Sequence, residues 1–87
     1  MAAVFVRVTN ATAAAYWVAI DKSDVRIING VGKKRVSAGH HILQYYAEGA
    51  AGQGLTITVD GANPPASQTD KVPEGYRHCG GKLEFEV

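Results

Sequence analysis

Hydrophobic positions along this chain recur mostly at every second residue. Val4, Val6 and Val8 alternate with Phe5, Arg7 and Thr9, the pattern of a strand that buries one face, because successive side chains point to opposite sides. Tyr16, Val18 and Ile20 repeat the pattern against Trp17, Ala19 and Asp21. The polar run Asp21-Lys22-Ser23-Asp24 predicts a turn, and Val25 to Ile28 a short apolar strand after it. Asn29-Gly30 is a hairpin signal, since both residues tolerate the positive φ of a type I′ turn. Gly32, close behind, leaves a longer or bulged loop open. Lys33 to Val36 reads as the return strand, and Ser37-Ala38-Gly39 as a turn with Gly39 at positive φ. His40 to Ala47 is the longest predicted strand, and Leu55, Ile57 and Val59 between Thr56 and Thr58 give the cleanest alternation. Lys82 to Val87 closes the chain, with Leu83 and Phe85 inward. About seven short strands separated by turn signals predict an all-β sandwich or small barrel.

The stretch from Asp60 to Gly81 breaks the pattern. It holds Asn63-Pro64-Pro65, Val72-Pro73-Glu74-Gly75 and Gly80-Gly81 with almost no alternation. A long surface loop is the expected reading, with a short strand around Val72 or Tyr76 as the alternative.

Composition narrows the class. Eighty-seven residues, 46% hydrophobic and 20% charged, suit one ordinary globular domain spanning 1–87. Such a chain buries only about 60–65% of its unfolded surface, so nearly every alternating apolar residue is needed inside. The expected core is Val4, Val6, Val8, Val18, Ile20, Ile27, Ile42 or Leu43, Leu55, Ile57, Val59, Leu83 and Phe85. Nine basic against eight acidic side chains give a net charge of +1, too little to attract a polyanion at long range. Cys79 is the lone cysteine, so no internal disulfide is available and a reducing compartment is slightly favoured. The first residues reach Arg7 too soon for a signal peptide, and no apolar run approaches the roughly 18 residues of a membrane helix. No membrane insertion is expected, and the compartment stays open, with the cytoplasm slightly favoured unless the chain is a piece of a longer envelope protein.

Few chemistries have the residues they need. His40, His41, His78 and Cys79 are the only metal-ligand candidates, and adjacent strand residues point to opposite faces, so His40 and His41 do not readily share an ion. No metal and no cofactor are expected. Cys79 has His78 beside it, but chain neighbours seldom make the side-chain contact a nucleophile needs, and the cysteine reads as a loop bystander. The acidic pairs Asp21/Asp24 and Glu84/Glu86 suit solvated positions rather than acid–base work. No catalytic residues are assigned. Lys33-Lys34-Arg35 with the tyrosines supports a second possibility, a small OB-like nucleic-acid binder, although cations on an edge strand also deter sheet-to-sheet pairing.

The aromatic content carries the binding expectation. Trp17, Tyr45, Tyr46 and Tyr76 exceed what one small core must absorb, and in each of Tyr16/Trp17 and Tyr45/Tyr46 one ring should face in and one out. Two outward rings near each other form a stacking platform, or pack across strands on the open face. Within the long loop, Tyr76, Arg77 and His78 place a ring, a cation and an imidazole in succession. The candidate binding residues are therefore Trp17, Tyr45, Tyr46, Tyr76, Arg77 and His78.

Trp17-Val18-Ala19-Ile20-Asp21, then Ser37-Ala38-Gly39-His40-His41-Ile42, then Gly49 and Leu55-Thr56-Ile57-Thr58-Val59 resemble the PEGA type of small bacterial β-sandwich domain. The likeness covers about half the chain, and Lys22 stands where that family usually has glycine. It implies a non-catalytic module of an envelope or surface protein. The expectation is thus an immunoglobulin-like sandwich that acts as a non-catalytic binding or structural module, with protein or carbohydrate contacts favoured over nucleic acid and the oligomeric state open.

Overall fold

The computed structural model describes residues 2–87. Eight strands follow in chain order: β1 (Ala2–Thr9), β2 (Ala15–Ile20), β3 (Ser23–Asp24), β4 (Val31–Val36), β5 (His40–Glu48), β6 (Gly54–Asp60), β7 (Ala66–Lys71) and β8 (His78–Glu86). They form two four-stranded antiparallel sheets, β4-β1-β6-β7 and β3-β2-β5-β8, packed as a β-sandwich.

The alternation read from the sequence sets which face is buried. Val4, Val6 and Val8 of β1 and Leu55, Ile57 and Val59 of β6 face Val18, Ile20, Leu43 and Phe85 of the other sheet, and all are buried. Register pairs Val6 with Val59 and Val8 with Ile57, so their side chains stand side by side on one inner face. Leu43, rather than Ile42, is the core residue of β5. Ile27 and Leu83 are only partly buried, and Val25, Val36, Tyr45, Ala47, Ala62, Val72 and Cys79 join the core.

The turns divide between those foreseen and one that was not. Gly39 has a φ of 118° and delivers the chain into β5, as expected. Asn29 and Gly30 both have positive φ, 52° and 79°, and a two-residue hairpin closes between Ile28 and Val31. The strand expected at Val25 to Ile28 is absent. Asp21 and Lys22 take positive φ, 49° and 67°, so the chain reverses earlier and only Ser23–Asp24 pairs back on β2. Val25 then turns its side chain into the core instead of extending a sheet.

The expected long loop at 60–81 is the main correction. It contains β7, paired along its length with β6, and the start of β8 at His78. The extra strand lies at neither Val72 nor Tyr76. β7 was hidden because Ala66-Ser67-Gln68-Thr69-Asp70-Lys71 is an edge strand with no apolar face. Polar contacts hold it instead: Thr56 and Thr69 hydroxyls meet at 2.9 Å, and Thr58 and Ser67 at 3.1 Å.

Candidate recognition surface

Strands β2, β5 and β8 present one outer face to solvent. On that face Trp17 stands directly opposite Tyr46 in register, and His78, opposite Glu48, lies one diagonal step from Tyr46. Trp17 and Tyr46 have ring centroids 5.6 Å apart with planes 37° from parallel. Tyr46 and His78 stack at 5.7 Å and 25°, and Tyr76 meets the His78 ring edge-on at 6.2 Å. The result is a row of four rings crossing three strands. Trp17, Tyr46 and Tyr76 remain 54%, 41% and 58% exposed, so mutual packing leaves much of each ring open. Glu48, Arg77 and Lys82 are exposed around the row, as is Gln44 next to Tyr46 on the same face. A shallow hollow of about 280 Å³, lined by Asp21, Lys22, Ile42 and Gln44, opens on the same face.

Four of the six expected binding residues thus come together: Trp17, Tyr46, Tyr76 and His78. Arg77 is exposed beside them, and its carbonyl accepts the Gly49 N–H at 3.0 Å, which ties the segment before β8 to the end of β5. Tyr45 is elsewhere. It is the inward member of its pair, and its hydroxyl donates to Asp70 Oδ2 and accepts from Gln68 Nε2, both at 2.8 Å, joining the two sheets. Burial, and then the Asp70 carboxylate, push its pKa up to about 12.

Two glycines make this division of tyrosines workable. Gly81 lies opposite Tyr45 and Gly80 opposite Tyr46. A Cβ at Gly81 would sit 3.1 Å from the Tyr45 hydroxyl, and one at Gly80 would sit 2.8 Å from the Tyr45 carbonyl oxygen. Both are strand residues rather than the loop the sequence suggested. Cys79 between them is likewise not in a loop: it is buried opposite Ala47, and burial pushes its thiol pKa up. His78 faces out while Cys79 faces in, so the two side chains point to opposite sides of β8.

The two adjacent histidines separate as the pleat requires. His41 is buried; its Nδ1 lies 2.5 Å from Asp21 Oδ2 and its Nε2 2.7 Å from the Ser37 carbonyl. Both contacts favour the imidazolium, with the Asp21 bond first, so its pKa is raised and that of Asp21 is lowered. Exposed His40 lies between Glu86 and Glu84, each 2.8 Å from a different ring nitrogen, and its pKa is raised by the Glu86 bond first. The Asp21 carboxylate and the two glutamates, expected to be merely solvated, therefore hold histidines. Among the described residues no three His, Cys, Asp or Glu side chains are grouped to hold a metal ion, and no helix is long and apolar enough to cross a membrane.

The basic run lies on the other sheet. Lys34 donates to Ser23 Oγ at 2.6 Å, and Lys33 stands 6.0 Å from the Phe5 ring. Lys33, Lys34 and Arg35 thus lie on β4, an edge of the sheet that does not hold Tyr46, and Lys34 reaches across to β3 of the sheet that does. Comparison with protein-family models, curated proteins and solved structures finds no match to this chain.

Proposed function

We propose that this domain is a non-catalytic recognition module that binds carbohydrate on the outer face of β2, β5 and β8. The observation that carries the reading is the exposed row Trp17–Tyr46–His78–Tyr76. Aromatic faces stack on the C–H faces of sugar rings, and the surrounding Gln44, Glu48, Arg77 and Lys82 offer donors and acceptors for hydroxyl groups. The row is narrow, and the face around it carries Ala15, Ala19, Ile42 and Gln44 rather than further large rings. A protein hot spot gains its strength from a fully desolvated centre enclosed by further contacts, so this geometry suits a slender ligand better.

An immunoglobulin-like relationship is part of the same reading. It rests on the central pairs β1/β6 and β2/β5, which lie in opposite sheets with the chain crossing between sheets from β1 to β2 and from β5 to β6. The PEGA likeness rests on the Gly39 turn that leads through His40 and His41 into β5.

A glycan array probed with the wild-type domain, Trp17→Ala, Tyr46→Ala and Lys33→Ala tests the proposal. Wild type and Lys33→Ala should retain the same glycans, and each aromatic variant should lose about tenfold in affinity. Retention of no glycan, or equal binding by Trp17→Ala, overturns it.

A further inference from the structure

The edge of β8 carries a second recognition element. Gly39 and Val87 exchange both main-chain hydrogen bonds at 3.0 Å, and Gly49 N–H donates in the same phase to the Arg77 carbonyl at 3.0 Å. Antiparallel alternation then makes Cys79, Gly81, Leu83 and Phe85 the residues bonded to β5. The N–H and C=O groups of His78, Gly80, Lys82, Glu84 and Glu86 point away from it, and all five residues are exposed. The Glu86 carbonyl is taken by the Asn63 N–H at 2.9 Å. A free stretch from His78 to Glu84 remains.

The other sheet edges offer less. β3 has two residues, β4 carries Lys33, Lys34 and Arg35, and β7 is a short polar strand of six. β8 has nine, with charges that are not all of one sign. Edge charges usually repel a pairing strand, unless they are arranged to complement it.

We propose that β8 pairs antiparallel with β8 of a second copy of this chain, in a register centred on Gly81. That register matches the whole free stretch: His78 lies opposite the partner's Glu84, and Gly80 opposite the partner's Lys82, with the reciprocal pairs generated by the two-fold axis. Glu84 holds His40 through Oε1, which leaves its other oxygen for the histidine across the seam. The Tyr46 ring lies beside the Gly80 backbone, so the partner's Lys82, opposite Gly80, brings its ammonium near that ring. Neighbouring registers are worse. Centring on Lys82 sets two lysines face to face, and centring on Gly80 sets His78 against Lys82 and leaves Glu84 beyond the pairing. The dimer joins two β3-β2-β5-β8 sheets into one continuous sheet.

Sedimentation across micromolar to millimolar protein, with amide exchange read residue by residue, tests this. The mass should rise towards a dimer with concentration. The amides of His78, Gly80, Lys82 and Glu84 should slow by about tenfold or more as it does, while Cys79, Gly81 and Leu83 stay protected throughout. Lys82→Pro removes an outward N–H without touching the bonds to β5, and should leave a folded monomer with a native circular dichroism spectrum. Should that variant not fold, Glu84→Lys, which sets a cation against His78, should weaken association at least tenfold. A monomer at every concentration overturns the proposal. So does a dimer in which those four amides exchange as fast as in the monomer.

Discussion

His41 and Asp21 bias each other's titration in opposite directions. Both imidazole nitrogens face acceptors, and a ring with two donors is the protonated one. The folded pKa of His41 lies above its ordinary 6.5, so its contribution to stability is fully present below that value and lost as pH rises through the raised folded value. Asp21 has the opposite sign: its folded pKa lies below 3.8, so its contribution is present above 3.8 and lost as pH falls through the depressed value. Stability should peak in mildly acidic solution and decline above about pH 6.5. Melting temperature against pH checks this, and His41→Gln should flatten the alkaline decline, leaving the share that His40 adds with the same sign. A wild-type profile that is flat from pH 5 to 8 would contradict it. Tyr45 is the other residue whose polar atom matters inside. Tyr45→Phe removes a bond to a carboxylate and leaves Gln68 without its acceptor, and should lower unfolding free energy by about 1.5–3 kcal/mol in urea titration. Alternation put one of Tyr45 and Tyr46 inward, and the burial of Leu43 decides that it is Tyr45, with His41 in the same phase. Their partners were not legible, because Asp21 reaches His41 through a turn with two positive φ values and Asp70 lies on an unrecognised strand.

At the scale of elements, strands with an apolar face were readable and the polar edge was not. β1, β2, β5 and β6 each carry a buried alternating set, which makes all four legible, and the inward residues too except in β5, where Ile42 and Leu43 competed. β7 has only half-buried Ala66, Gln68 and Asp70, and its Ser67 and Thr69 match Thr58 and Thr56 across the pair. That hydroxyl matching was the available signal, and it is visible only once β6 is assigned as a partner. Replacing 66–70 with a Gly/Ser linker should therefore destabilise the domain by more than about 2 kcal/mol, because it removes both the β6 pairing and the Tyr45 partners. An unchanged denaturation midpoint would make β7 dispensable. Amide exchange should also be slower in β7 residues bonded to β6 than across 73–77. Gly39 meets nothing that a Cβ would strike, so its backbone angle alone disfavours other residues. Gly39→Val should cost at least ~1 kcal/mol.

Across the whole molecule, the two sheets present different outer faces. One outer face carries the Arg7–Asp60 ion pair, the threonine and serine hydroxyl pairs, and Lys33 over Phe5. The other carries the aromatic row, beside which the free edge of β8 runs. Sequence alternation sent Trp17 and one of Tyr45 and Tyr46 outward, but the meeting of Trp17 with Tyr46 depends on the β2–β5 register, and the approach of Tyr76 and His78 depends on β8 starting four residues earlier than Lys82. In the proposed function a ligand sits on this row. Trp17 is the chain's single tryptophan, so its fluorescence reports on that place alone. A titration with soluble polysaccharides should change Trp17 emission in a saturable manner and reduce its quenching by acrylamide, with both effects weakened by Tyr46→Ala. A polysaccharide that binds while leaving Trp17 emission and acrylamide access unchanged would contradict the account.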